Sequence, residues 1–144
     1  MARRGDVRDE ARVTSGYSGT PLAKKLGYTP ATNAKLIDAP NDYASWFTPR
    51  LDATFGGKKP FDLIHLFAPS RAALAKSLAV ARKEITPAGM IWVSWYKKAA
   101  KIPTDVTEDT VRELAFPLDL VDVKVCAVNE VWSGLKLVIR KEKR

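Results

Sequence analysis

The run from Glu84 to Lys98, E-I-T-P-A-G-M-I-W-V-S-W-Y-K-K, closes a helical pattern, turns at Pro-Ala-Gly, continues as an apolar strand from Met90 to Tyr96 and stops at two lysines. Strands of a parallel α/β sheet are covered on both faces, so they read as continuous apolar runs joined by amphipathic helices. Phe61 to Phe67 (F-D-L-I-H-L-F) is a second such run. Between the two, a helix predicted from Pro69-Ser70 onward carries Leu74, Leu78, Ala81 and Ile85 on one stripe of a 3.6-residue period, with Arg71, Lys76 and Lys83 away from it. Two parallel strands linked by a helix make a right-handed crossover unit.

The rest of the chain extends this unit. Thr20-Pro21 predicts a helix start and Gly27 its stop, giving a short helix from Pro21 to Leu26. Lys35 to Ala39 reads as a strand ended by Pro40, and Asn41-Asp42 as the cap of a helix carrying Tyr43, Trp46 and Phe47. Phe55 to Pro60 reads as a loop, and so does Lys97 to Asp105. Thr107 predicts a helix cap, with Glu108 and Asp109 at the favourable end of the helix dipole and Val111, Leu114, Ala115 and Leu118 as the buried stripe. The period then changes to two. Val121, Val123, Val125 and Ala127 alternate with Asp122, Lys124 and Cys126, and Asn129-Glu130 turns into a last strand from Val131 to Ile139. The expected fold is a three-layer α/β sandwich with a mostly parallel, Rossmann-like sheet of about five strands and a C-terminal antiparallel hairpin.

At 144 residues the length fits one domain. The expected organisation is a flexible segment at 1–14, a single α/β domain at 15–140 and a basic tail at 141–144. No apolar run is long enough to span a bilayer, and the charged first twelve residues do not resemble a secretory signal. Cys126 is the single cysteine, which rules out an internal disulfide and favours a cytoplasmic location. The net charge is +8, but half of the excess falls on residues 1–12 and 140–144. That distribution argues against nucleic acid as the main partner. Nothing in the sequence specifies an oligomeric state.

Strand ends of a parallel sheet converge on one edge, and ligands bind there. The edge is expected to gather Asn41 and Asp42, Ser70 and Arg71, and Ser94, Trp95, Lys97 and Lys98. Helices starting after Pro40 and Pro69 would aim N–H groups at this edge, the lysines would add charge and the aromatic rings a flat surface. The expected ligand is a small anion. Ser15 to Thr20 (S-G-Y-S-G-T) has the composition of a phosphate-cradling loop, but without the lysine and spacing of a P-loop it reads first as an entry loop. His65, the single histidine, lies in an apolar strand and reads as a hydrogen-bonded core residue, and Cys126 reads as a small core residue. One His and one Cys do not make a metal site. No catalytic residue, metal or cofactor is assigned. Asp105, Glu108 and Asp109 read as charge at a helix start rather than as a general base, and Trp132 as packing.

The order of elements resembles the second half of the Rossmann-like methyltransferase fold. The resemblance is carried by Phe61-Asp62-Leu63-Ile64-His65 and by Pro87-Ala88-Gly89-Met90-Ile91-Trp92-Val93, and covers Lys35 to Arg140. It implies adenosylmethionine chemistry, yet Lys35 to Asp42 lacks the glycine-rich turn and Tyr43 to Pro60 is too short for the next strand and helix. The segments S-G-Y-S-G-T-P-L-A-K-K-L-G, I-W-V-S-W-Y-K-K, P-T-D-V-T-E-D and V-K-V-C-A-V-N-E-V-W-S-G-L-K-L are similar to a bacterial family known as a domain of unknown function, the 3052 series. That likeness implies one unit and no particular activity. The leading expectation is a non-catalytic binding protein for a small anionic ligand or a protein partner. The alternatives are a divergent methyltransferase and a basic nucleic-acid-interacting module.

Overall fold

The computed structural model describes residues 20–144. The expected segment 1–14 and most of the Ser15 to Thr20 loop lie outside the described residues. The helices are α1 (Leu22–Leu26), α2 (Arg71–Glu84) and α3 (Glu108–Ala115). The strands are β1 (Asn33–Ile37), β2 (Thr54–Phe55), β3 (Phe61–Phe67), β4 (Ile85–Tyr96), β5 (Leu120–Ala127) and β6 (Trp132–Ile139). They form one six-stranded sheet in the order β2-β1-β3-β4-β6-β5. The first four are parallel, and β6 lies antiparallel to both β4 and β5. The sheet is thus mostly parallel with an antiparallel C-terminal hairpin. The sixth strand is the two-residue β2, which overlaps the expected Phe55 to Pro60 loop at Phe55; its partner β1 supplies the pairing that Thr54 and Phe55 do not announce in sequence.

The pleat sorts side chains to two cores. On one face Ile64, Leu66, Ile91, Val93 and Trp95 pack beneath α2 and α3, which contribute Leu74, Leu78, Ala81, Val111 and Ala115. On the other, Leu63, Phe67, Trp92 and Trp132 meet Leu26 of α1, Tyr28, and Tyr43 from a 3-10 turn at Tyr43–Trp46. Fully burying one such large side chain contributes about 1.5–3 kcal/mol, so these two layers dominate the stability. Leu114 and Leu118 of the expected α3 stripe are only partly buried.

Local chemistry sets the boundaries. Ser70 caps α2 by accepting from the Ala73 amide. Thr107 and Thr110 bond reciprocally at the start of α3. Gly27 ends α1 at φ 93°, where a side chain would be strained. The cap position of α1 is Pro21 rather than Thr20, and Asp42 precedes its 3-10 turn without a side-chain capping bond.

Two bulges depart from the expected pattern. Pro87-Ala88-Gly89 is not a turn between helix and strand but an irregularity inside β4. Phe61 pairs with Ile85 and Leu63 with Met90, so the intervening residues of β4 loop out of register. In β5, Asp122 pairs with Leu137 and Lys124 with Lys136, leaving Val123 as an extra residue. The bulge inverts the side-chain phase. Leu120 consequently joins the α2/α3 core and Cys126 the α1 core, while Val123 and Val125 are exposed instead of forming one buried row. The terminal residues Lys141–Lys143 form an exposed 3-10 turn.

Candidate functional site

The carboxyl ends of β1, β3 and β4 lie along one edge, as parallel pairing requires. The residues expected there divide into three groups. Asn41 and Asp42 are exposed beyond β1, and Lys98 is exposed at the start of a 3-10 turn, Lys98–Ala100. Lys97 is half-buried, and its amide donates to the Val131 carbonyl at 2.8 Å.

Ser70 and Arg71 are occupied within the fold. The Ser70 hydroxyl is the helix cap, and the Arg71 amide donates to Asp105 Oδ1 at 2.7 Å. The Arg71 guanidinium is bonded to Glu113, which raises the guanidinium pKa and lowers that of the carboxyl. The protein's own carboxylate therefore sits where an anion at the start of α2 was expected. Sequence reading missed this because Asp105 is 34 residues from Arg71.

Ser94 and Trp95 belong to the core rather than to an accessible edge. Adjacent residues of a strand face opposite ways. Trp95 enters the α2/α3 core, and Ser94, fully buried, faces α1. Ser94 there ends a buried polar chain. Its Oγ lies 2.7 Å from His65 Nε2; His65 Nδ1 lies 2.9 Å from the Tyr43 hydroxyl, which lies 2.7 Å from the Tyr28 hydroxyl. Burial lowers the His65 pKa to about 3, so the imidazole is neutral. Burial raises Tyr28 to about 12 and Tyr43 further, so neither is a phenolate. His65 is thus the hydrogen-bonded core residue expected; no acid joins this chain among the described residues, and Ser94 is fully buried.

An accessible concavity at this edge lies beside β1. An open groove of about 470 Å³ is lined by Leu36, Pro40, Asn41, Tyr43, Arg50 and Phe55, among others. Its walls are mainly apolar, and among the described residues that line it Arg50 is the single cation. Arg50 is exposed and makes no ion pair among the described residues. Sequence reading placed Asn41 at this edge but overlooked Arg50, whose loop lacks any motif. No group of three or more His, Cys, Asp or Glu among the described residues could hold a metal ion. None of the helices described is long and apolar enough to cross a membrane.

No family model matches the chain, and no curated protein matches it in sequence. Solved structures do resemble it. A Sulfolobus solfataricus protein named as a candidate type 11 methyltransferase superposes with a TM-score of 0.58 at 12% identity, covering 83% of this chain and 90% of that one. A precorrin-6y methyltransferase of Geobacter metallireducens gives 0.55 at 9% identity, covering 82% and 84%. The B. subtilis tRNA methyltransferase TrmK gives 0.51 at 11% identity; 82% of this chain spans 64% of that enzyme. At these identities the likeness speaks for architecture alone: the chain has the Rossmann-like, methyltransferase-like α/β fold.

Proposed function

We propose that this protein is a non-catalytic binding protein for a small organic anion, held in the groove beside the carboxyl end of β1. Membership of the 3052-series family and a cytoplasmic location belong to the same reading. The observation that carries it is the meeting of an apolar groove with Arg50, a cation that makes no ion pair among the described residues, next to Pro40-Asn41. Leu36, Tyr43 and Phe55 would cover an apolar body, and Arg50 would offer a planar fork to a carboxylate, sulfonate or phosphate. The tyrosine hydroxyl is engaged with His65 and Tyr28, so Tyr43 offers its ring and not a catalytic proton.

Anilinonaphthalene sulfonate, an aromatic body with one anionic group, is a direct probe. Saturable 1:1 fluorescence enhancement, weakened about tenfold by Arg50→Ala, is the expected result. No enhancement, or equal affinity for the variant, would exclude the reading.

A divergent methyltransferase is the second reading, favoured by the position of the groove at the end of the first strand in a methyltransferase-like sheet. Against it stand Pro40 and the absence of glycine between Lys35 and Asp42. A thermal melt with saturating adenosylhomocysteine decides between them: a shifted midpoint supports the enzyme, and an unshifted one removes it.

A further inference from the structure

The outer edge of β1 is only partly covered. β2 pairs with Asn33 and Ala34 and then ends, so among the described residues no strand lies against Lys35, Leu36 and Ile37 on that side. The direction of the main chain there follows from its neighbours. The Thr32 carbonyl accepts from the Thr54 amide, on the β2 side, at 2.9 Å. The Asn33 amide points the other way, to Asp62 Oδ2 on β3 at 2.9 Å. Main-chain groups alternate sides along a strand, so Ala34 and Leu36 face outward as Thr32 does. Leu36 therefore turns its N–H and C=O to the open edge, beyond the last residue paired with β2.

The two edges of the sheet differ. β5, at the far side, is interrupted by the Val123 bulge and carries Lys124, devices that discourage a further strand. β1 is regular from Ala34 to Ile37, with no shift of register against β3. A groove lies on each face of its open edge. On the α1 face is the Arg50 groove, walled by Leu36 and Tyr43. On the α2 face is a second, also of about 470 Å³, where Lys35 and Phe61 meet Phe55, Gly56 and Gly57. Leu36 and Phe55 line both grooves.

We infer that the open edge of β1 takes an extended acidic peptide as an added strand, with alternate side chains in the two grooves. The inference rests on the Arg50 groove being an anion site and names the class of ligand that fills it. Main-chain bonds to Leu36 supply affinity for such a strand, and the grooves supply specificity. Successive side chains of a strand leave on opposite faces, which is what one edge between two grooves accommodates. The charge of the peptide follows from the segment bordering the edge. Over residues 50–60, Arg50, Lys58 and Lys59 stand against Asp52, a net of +2. None of these three cations makes an ion pair among the described residues. Lys35 is already matched by Glu84, so the groove of Phe55 and Phe61 suits an apolar side chain and the Arg50 groove a carboxylate.

Isothermal titration of the full chain with the end-capped peptide Val-Glu-Val-Glu-Val tests this. Binding at one site is expected, weakened about tenfold by Arg50→Ala and unchanged by Lys83→Ala, an exposed α2 variant. Two analogues, N-methylated at the valine or at the glutamate amides, read the main-chain bonds. One of them loses about tenfold and the other does not, because only one set of amides faces β1. Equal affinity of the two analogues, equal binding of Val-Lys-Val-Lys-Val, or stronger competition by a single-stranded oligonucleotide would each overturn the inference. Anilinonaphthalene sulfonate that depends on Arg50 but is not displaced by the peptide leaves the groove reading standing and removes this one. Failure of dye and peptide alike removes both.

Discussion

His65 Nε2 on β3 and Ser94 Oγ on β4 lie 2.7 Å apart with both residues fully buried, and the geometry around them orients the bond. Among the described residues Ser94 Oγ has no other side-chain or backbone partner for its proton, whereas Tyr28 at the far end of the chain is 7% exposed. Running the protons outward, Ser94 donates to Nε2, Nδ1–H donates to Tyr43, and Tyr43 donates to Tyr28. The buried donors on Ser94, His65 and Tyr43 are then all satisfied. The expected observation is the Nδ1–H tautomer of His65, read from imidazole nitrogen chemical shifts. Ser94→Ala leaves Nε2 without a donor and should cost about 1–3 kcal/mol in urea unfolding.

His65 also makes stability depend on pH. Its pKa falls from the ordinary 6.5 to about 3 on folding, through burial. Between those values the unfolded chain binds a proton that the folded one does not, so stability rises with pH across the window. The contribution is fully present above pH 6.5 and is lost as pH falls toward 3. The slope approaches about 1.4 kcal/mol per pH unit. His65→Gln keeps a donor and an acceptor in place but does not titrate, so it should flatten this part of the profile, as measured by denaturant midpoints at pH 7, 6 and 5.

Gly89 sits in the β4 bulge with no room for a side chain. A Cβ there would lie 2.7 Å from Ile85 Cγ1, 2.7 Å from Thr86 Oγ1 and 2.9 Å from the Asp62 carbonyl oxygen. The last is backbone of the neighbouring strand and does not yield cheaply. Gly89→Ala should destabilise by about 1–3 kcal/mol, the usual range for overpacking, seen as a lowered urea midpoint at unchanged m-value.

Asp105 holds the start of α2 through the Arg71 amide. Asp105→Ala removes an acceptor equivalent to a helix cap and should cost about 1 kcal/mol. It also exposes that amide, so part of the loss should return in sulfate relative to chloride of equal ionic strength. Wild type should show a smaller sulfate gain; equal gains would show that Asp105 does not occupy an anion position.

The central fold was legible because local pattern and tertiary role agree at those elements. Phe61 to Phe67 is a strand over its whole length, Ser70 and Thr107 are caps, Gly27 is a stop, and Leu74, Leu78 and Ala81 are fully buried. Apolar period, capping chemistry and backbone freedom act within a few residues, so sequence spacing records them. The site was far less legible. Arg50 beside β1 carries no motif, and Asp105 meets Arg71 only because a loop crosses the edge.

The alternation of valines after Leu120 shows where sequence stopped deciding. It determined that a strand forms there, because β-branched residues at period two favour one. It did not determine which face each side chain occupies, since one extra residue at Val123 inverts everything after it, and that register is set by pairing with β6. Pairing across the sheet placed Lys124 opposite Lys136 and Ser94 beside His65, and a loop crossing the sheet edge brought Asp105 against Arg71. Local chemistry acts through neighbours in the chain and can be read from it; charge clusters and occupied sites arise between elements distant in sequence, and only the packed sheet brings them together.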